Sequence, residues 1–148
     1  MKIDSFRGVY FFLSNFYEAS VTVDGLTYKN NEAAFQAYKL LEVEKRVKFT
    51  EVDPSRAKQM GRNVQLRRDW ENIKYDAMYN CVKAKFEQNP DLAEKLIATG
   101  DAYLEEGNTW GDRIWGTVNG IGQNHLGKIL MRVRQELQES KSVGGFYL

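Results

Sequence analysis

The chain has 148 residues, a formal net charge of +1, one cysteine and one histidine. This length suits one compact domain that buries about 70% of its unfolded surface, and we expect a single domain over residues 1–148. The composition excludes an intrachain disulfide and a zinc site built from cysteines and histidines, and the charge gives no general attraction to nucleic acid or anionic lipid.

The N-terminal residues are polar, and no later stretch approaches the 18 or so apolar residues that span a bilayer. We therefore expect a cytoplasmic protein with no membrane partner. No obligate protein partner is evident from the sequence either.

The first regular element that the sequence predicts is an antiparallel hairpin. Residues 19–23 alternate between small or apolar and polar side chains, Asp24-Gly25 is a hairpin turn signal, and an extended pattern resumes at residues 26–28.

Helical patterns fill most of the remaining chain, with stretches predicted at about 31–43, 55–60, 70–88, 91–98 and 126–138. Asp53 and Asn89 each precede a proline, and each is expected to cap the helix that follows. Gly61 and Gly100 lie where two of these helices are expected to stop. A short strand is predicted over residues 102–105.

The helix that begins near Asn31 carries a narrow polar stripe. At 100° per residue, Glu32, Gln36 and Lys39 fall within about 60° of one another, and the rest of the helix is apolar. Ionisable groups on a largely buried helix must pair, shift their pKa values or line a cleft. The stripe therefore indicates a functional cleft, and the alternative is a solvated helix face.

Residues 54–68 form a basic segment with five Lys or Arg side chains and no acidic one. Arginine binds phosphate through paired, charge-assisted hydrogen bonds, so the segment is either a phosphate-docking surface or a solvated face. Arg62 is our candidate for a substrate-binding residue within it.

Residues 108–124 form a loop rich in glycine and tryptophan, which we call the tryptophan loop. Tryptophan rings offer flat surfaces for a base or sugar, and glycine allows close approach of backbone to phosphate. A loop this long in a small domain is usually functional, although a structural loop anchored by its tryptophans is the alternative.

Six ordered motifs resemble the NADAR family, also called YbiA-like, over residues 6–138. They are Phe12-Leu13-Ser14-Asn15-Phe16, Asn31-Glu32-Ala33-Ala34-Phe35-Gln36-Ala37-Tyr38-Lys39, Asp69-Trp70, Lys85-Phe86, Asp112-Arg113-Ile114-Trp115-Gly116 and Gly122-Gln123-Asn124-His125-Leu126-Gly127.

The resemblance implies a small, mainly helical α+β domain with a small antiparallel sheet, acting as an N-glycosidase without a metal or redox cofactor. It implies phosphoribosylamino-pyrimidine intermediates of riboflavin synthesis as substrates, or ADP-ribose attached to guanine, including guanine in nucleic acid. Glu32, Lys39 and Asp112 match catalytic positions. The substrate-binding candidates are Asn15, Phe16, Gln36, Arg62, Trp115, Gly116 and Asn124. Ala33 stands where the commonest family pattern has histidine, which affects substrate choice.

Cleavage of an N-glycoside develops positive charge on the ribose, which a carboxylate stabilises while a proton donor assists the leaving nitrogen. Glu32 and Asp112 are expected to divide these roles. In a second route, which the resemblance favours, the deprotonated amine of Lys39 attacks the anomeric carbon and forms an imine. The competing functional class is a non-catalytic sensor of NAD or ADP-ribose; a nucleic-acid-binding module fits the near-neutral charge least well.

Overall fold

A computed structural model describes residues 1–147, with side chains for residues 1–141. The chain divides into two compact units. The central unit is Asn15–Asn89, and the terminal unit consists of Met1–Ser14 together with Pro90–Leu148. The mainly helical α+β class predicted from the sequence is confirmed.

The elements follow one another in this order: β1 (Lys2–Ile3), a 3₁₀ helix (Gly8–Leu13), β2 (Glu18–Val23), β3 (Leu26–Asn30), α1 (Asn31–Ala37), α2 (Val43–Arg46), a second 3₁₀ helix (Val47–Phe49), α3 (Pro54–Arg62), α4 (Trp70–Gln88), α5 (Pro90–Ala98), β4 (Tyr103–Leu104) and α6 (His125–Tyr147).

The predicted hairpin is confirmed, with β2 and β3 pairing antiparallel in the central unit. Asp24 and Gly25 form its turn with φ angles of 51° and 82°. Both values are left-handed, as the tightest hairpin turns require, and both residue types tolerate them. The hairpin ends directly at α1, because Asn30 closes β3 and its side-chain oxygen accepts the Ala33 N–H at 2.8 Å.

The first predicted helix ends earlier than expected. The sequence predicts helix to residue 43, but α1 ends at Ala37. The Lys39 N–H donates to the Gln36 carbonyl three residues back, and the Arg67 N–H donates to the Lys39 carbonyl at 2.9 Å. The chain therefore tightens into a turn after α1, and the loop that follows α3 supplies the donor for the Lys39 carbonyl. Leu41, predicted to lie on this helix, is instead 60% exposed.

The helix-end predictions are partly correct. Asp53 caps α3, because its carboxylate accepts the Arg56 N–H at 2.8 Å, and Gly100 follows α5 with a φ of 66°. The prediction for Gly61 is wrong, because this glycine lies inside α3 and lacks the positive φ of a terminating residue. Asn89 ends α4, where its side-chain nitrogen donates to the Lys85 carbonyl at 2.7 Å, and it directly precedes Pro90, the first residue of α5; its capping of α5 stays a prediction.

The terminal unit is built on α5, α6 and a small parallel strand pair. β1 pairs with β4, with Lys2 opposite Tyr103. The sequence does not predict β1, because two residues are too few to show an alternating pattern. Side chains of α5, β4 and α6 form the core: Leu92, Leu96, Leu104, Leu126, Leu130 and Val133. Among the residues that the structure describes, no helix is both long and apolar enough to cross a membrane.

Candidate active site

α1 is buried along its whole length, which is unusual for a helix that carries a glutamate. All seven of its residues are buried, and Glu32 is 9% exposed. The prediction that this helix is interior is confirmed. Its N-terminus is held by the backbone of Asn15, whose carbonyl accepts the Glu32 N–H at 3.0 Å. Glu32 is therefore fixed at the helix start, where the helix dipole favours a negative charge.

Gln36 holds the carboxylate of Glu32 from one turn further along. Its Nε2 donates to Glu32 Oε2 at 2.7 Å, so the two side chains share one face as the helical spacing predicts. The Gln36 Oε1 atom is buried and has no hydrogen-bond donor among the described residues. A buried acceptor without a donor is costly, so it calls for an explanation in function or in bound water.

Lys39 lies on the turn after α1, with its side chain half-buried. Its Nζ donates to the Gly61 carbonyl at 3.1 Å and lies 5.8 Å from the centre of the Trp70 ring. Burial lowers the pKa of Lys39 from 10.5, the negative charge of Glu32 opposes that shift, and the positive charge of Arg62 adds to it. We call Glu32, Gln36, Lys39 and Gly61 the Glu32 cluster.

The basic segment separates into two kinds of residue. Arg67 is committed to structure, because it pairs with Asp69 at 2.6 Å and donates to the Tyr38 carbonyl at 3.3 Å. It therefore stabilises the turn that carries Lys39. Arg62 and Arg68 are exposed. The positive charge of Arg62 contributes to the lowered pKa of Lys39, and its role as a binding residue stays a prediction.

The two candidates from the first family motif lie in the central unit. Asn15 is 8% exposed, its Oδ1 accepts from Asn31 Nδ2 at 2.8 Å, and its Nδ2 donates to Met78 Sδ at 3.4 Å. The Asn31 Oδ1 atom is a second buried acceptor without a described donor. Phe16 is partly buried beneath Lys58, whose Nζ lies 5.9 Å from the ring centre. Asn15 thus supports the start of α1 directly.

The tryptophan loop belongs to the terminal unit and is organised by Asp112. Its Oδ1 accepts the backbone N–H groups of Ile114 and Trp115 at 3.0 and 2.9 Å. Asn108 clamps the same residue, accepting the Asp112 N–H at 3.0 Å and donating to its carbonyl at 2.8 Å. One carboxylate oxygen of Asp112 therefore acts as a hydrogen-bond acceptor that shapes the loop.

The other loop candidates have mostly structural contacts. Asn124 is 2% exposed, its Oδ1 accepts the Glu106 N–H at 3.0 Å, and its Nδ2 donates to the Leu104 carbonyl at 2.9 Å. Gly116 allows close chain approach, because a β-carbon there would lie 2.0 Å from the Glu106 carbonyl oxygen. Trp115 is partly buried and meets His125 edge to face at 6.2 Å.

The sequence does not identify two residues that lie beside Lys39, namely Gly61 and Trp70. The sequence predicts a helix end at Gly61, and it gives Trp70 only as part of a family motif. A signal for Gly61 exists, because the segment after Asp53-Pro54 keeps helical character to Arg62 and a glycine inside a helix needs a reason. No sequence pattern indicates that Trp70 lies beside Lys39.

Comparisons with known proteins identify the family of this chain. The family model described as the NADAR domain matches residues 5–138. The chain belongs to the NADAR family. The family assignment suggested by the six sequence motifs is thereby confirmed.

Several NADAR relatives carry names that describe an activity or a pathway. The chain is 41% identical to N-glycosidase YbiA of Shigella flexneri serotype 5b over 132 residues, covering 86% of this chain and 82% of that protein. It is 42% identical to a riboflavin biosynthesis protein of Vibrio vulnificus, with the same coverage of this chain, but it spans only 36% of that relative. The NMR structure of the Escherichia coli protein YbiA matches with a TM-score of 0.82 at 37% identity, over 95% of this chain and 86% of that one.

Proposed function

We propose that this chain, a hydrolase acting on N-glycosyl bonds like the relatives named for that activity, cleaves the bond between a phosphorylated ribose and an amine or nucleobase nitrogen. The observation that carries the proposal is the Glu32 cluster, in which α1 supports a buried carboxylate and the turn after α1 supports a half-buried amine with a lowered pKa.

The chemistry of the cluster suits an oxocarbenium-like transition state. The Glu32 carboxylate offers negative charge to the ribose ring as the bond to the leaving nitrogen breaks. Because this carboxylate is held by Gln36 and by the fixed start of α1, little reorganisation is needed during the reaction.

Lys39 supplies the covalent route. Its neutral amine forms a bond to the anomeric carbon as the bond from that carbon to the leaving nitrogen breaks, and the leaving nitrogen takes up a proton. Opening of the sugar ring then gives an imine, and addition of water releases the sugar and regenerates the amine. Burial in a site that also contains Arg62 favours the neutral amine that this attack requires.

The basic segment is the part of the protein proposed to bind the phosphate of the substrate. Arg62 is exposed and lies close enough to Lys39 to influence its pKa, so a phosphate bound by Arg62 would place the ribose near the cluster. Asp112, Trp115, Gly116 and Asn124 enter the proposal through the family motif. Within the terminal unit, Asp112 accepts the Trp115 N–H and so shapes the loop that carries this ring.

For the leaving group, we propose an aminopyrimidine first and ADP-ribosylated guanine second. Relatives in Vibrio vulnificus and Zea mays are named riboflavin biosynthesis proteins, which supports a phosphoribosylamino-pyrimidine. No metal or redox cofactor is part of the proposal. The assay incubates the protein with a phosphoribosylamino-pyrimidine and, separately, with ADP-ribosylated guanine DNA, and measures released base by chromatography.

Borohydride reduction during turnover tests the covalent route. An imine on Lys39 would be reduced to a stable secondary amine, which mass spectrometry locates by peptide mapping. Lys39→Arg serves as the control, because it keeps the positive charge but lacks a primary amine. An adduct on Lys39 supports the imine, whereas rapid base release without any adduct would restrict Lys39 to an electrostatic role.

A further inference from the structure

Gly61 occupies a position where glycine weakens local structure. It is the second-last residue of α3, has no positive φ, and is buried. Alanine is the better helix former at such a position, because glycine loses more backbone freedom on folding. Neither helix formation nor turn geometry therefore explains why glycine stands here. The explanation that remains is that a neighbouring side chain occupies the volume that a β-carbon would need.

The space that a side chain would fill is occupied by Gln36. A β-carbon built on Gly61 would lie 1.9 Å from Gln36 Oε1 and 2.6 Å from Gln36 Cδ. Gln36 is 6% exposed, and its amide nitrogen holds the Glu32 carboxylate at 2.7 Å. The Gly61 carbonyl also accepts Lys39 Nζ at 3.1 Å. One residue of α3 thus contacts both the partner of the carboxylate and the amine itself.

We propose that Gly61 is a positioning residue for Glu32: its missing β-carbon leaves the room in which the Gln36 amide stands while it holds the carboxylate. The inference rests on the proposed function, in which Glu32 acts on the ribose. It concerns a residue that does not touch the substrate and acts through Gln36.

Adding a methyl group at position 61 is expected to disturb the contact between Gln36 and Glu32 without destabilising α3. The clashing atoms belong to the far end of a flexible side chain, so Gln36 yields by rotating and α3 keeps its path. Rotation removes the Gln36 amide from Glu32 Oε2, so the carboxylate loses the donor that orients this oxygen. The backbone carbonyl that binds Lys39 is retained. Helix stability is maintained or improved while the catalytic geometry is lost.

The test is a double-mutant cycle with Gly61→Ala and Gln36→Ala. We expect Gly61→Ala to lower kcat about 10- to 100-fold, the range that follows from misplacing a catalytic group by about 1 Å, with a Tm equal to or above that of wild type. In the Gln36→Ala background the same methyl has nothing to displace, so it is expected to change kcat less than about 2-fold. Gln59→Ala, at an exposed position of the same helix, controls for a general effect of helix stability.

Gly61→Ala with wild-type kcat would overturn the inference, as would an equal loss of kcat with and without Gln36. If wild-type protein itself releases no base, the proposed function fails, and NMR then decides whether Gly61 controls Gln36. The side-chain amide protons of Gln36 are expected to exchange with solvent at least 10-fold faster in Gly61→Ala than in wild type. Unchanged exchange would show that Gly61 does not hold Gln36.

Discussion

Lys39 has the environment that a nucleophilic amine needs, because burial opposes its protonation more strongly than the nearby carboxylate supports it. The neighbouring positive charge of Arg62 acts in the same direction as burial. A raised fraction of neutral amine near neutral pH follows from these two causes together. In the proposed covalent route, the pH dependence of the reaction therefore reports on the protonation of Lys39.

Arg62→Gln is expected to move the Lys39-dependent limb of the pH profile. Removing a like charge raises the pKa of Lys39, so the rise of kcat with increasing pH occurs at a higher pH than in wild type. The measurement is kcat at saturating substrate from pH 6 to 10, so that loss of phosphate binding does not enter. Arg68→Gln, also exposed in the basic segment, is the matched control. An unshifted limb in Arg62→Gln would contradict this electrostatic assignment.

Asn124 is expected to contribute to stability through its two buried backbone contacts. Asn124→Ala leaves the Glu106 N–H and the Leu104 carbonyl without that partner and should lower the free energy of unfolding by about 2–3 kcal/mol more than Asn119→Ala. Asn119 is the matched control because it has the same φ of 53° but is exposed. Chemical denaturation of both variants measures the difference, and equal losses would mean that backbone strain alone is responsible.

The helix α4 contains a buried lysine, Lys85, whose surroundings disfavour its protonated form. Lys85 is 1% exposed, and burial lowers its pKa from 10.5 to about 7. Its Nζ lies 5.7 Å from the ring centre of Tyr17 and 5.1 Å from that of Phe86. Between these two pKa values the unfolded chain is protonated at this site and the folded chain is neutral, so stability rises with pH from about 7 to 10.5.

Lys85→Met is expected to remove this pH dependence. At pH 7 the variant should gain on the order of a few kcal/mol in free energy of unfolding relative to wild type, and the gain should shrink as the pH approaches 10. Urea denaturation at pH 7, 8.5 and 10 measures it. Lys83→Met, on the same helix but less buried, controls for loss of one lysine. A difference between Lys85→Met and wild type that does not vary with pH would refute the explanation.

The elements that could be predicted from the sequence are those whose signals are local. The hairpin turn, the Asp53 cap and α4 depend on residues adjacent in the chain, and the helical periodicity correctly placed Glu32 and Gln36 on one face. The end of α1 could not be predicted, because the turn that follows it is held by Arg67, almost thirty residues away, whose N–H donates to the Lys39 carbonyl. The contacts of Gly61 and Trp70 with Lys39 depend on tertiary packing in the same way.

In the whole chain, membership of the NADAR family is found together with the Glu32 cluster. The NADAR match extends over nearly the entire chain, and the relatives named N-glycosidase are similar over most of it. Because the net charge is near neutral, we expect attraction of the proposed anionic substrate to come from local charge in the basic segment. The catalytic claim therefore depends on Glu32 more than on any general property of the surface.

The most direct test of the central claim compares base release by wild type and Glu32→Gln from a phosphoribosylamino-pyrimidine under single-turnover conditions. Glutamine preserves the size of the side chain and one acceptor oxygen for Gln36 but removes the negative charge, so we expect the rate to fall at least 100-fold with little change in Tm. Binding of the substrate, measured by calorimetry, should change far less than the rate. Equal rates for the two proteins, or binding by both with no release of base from either, would contradict the account and favour a binding module.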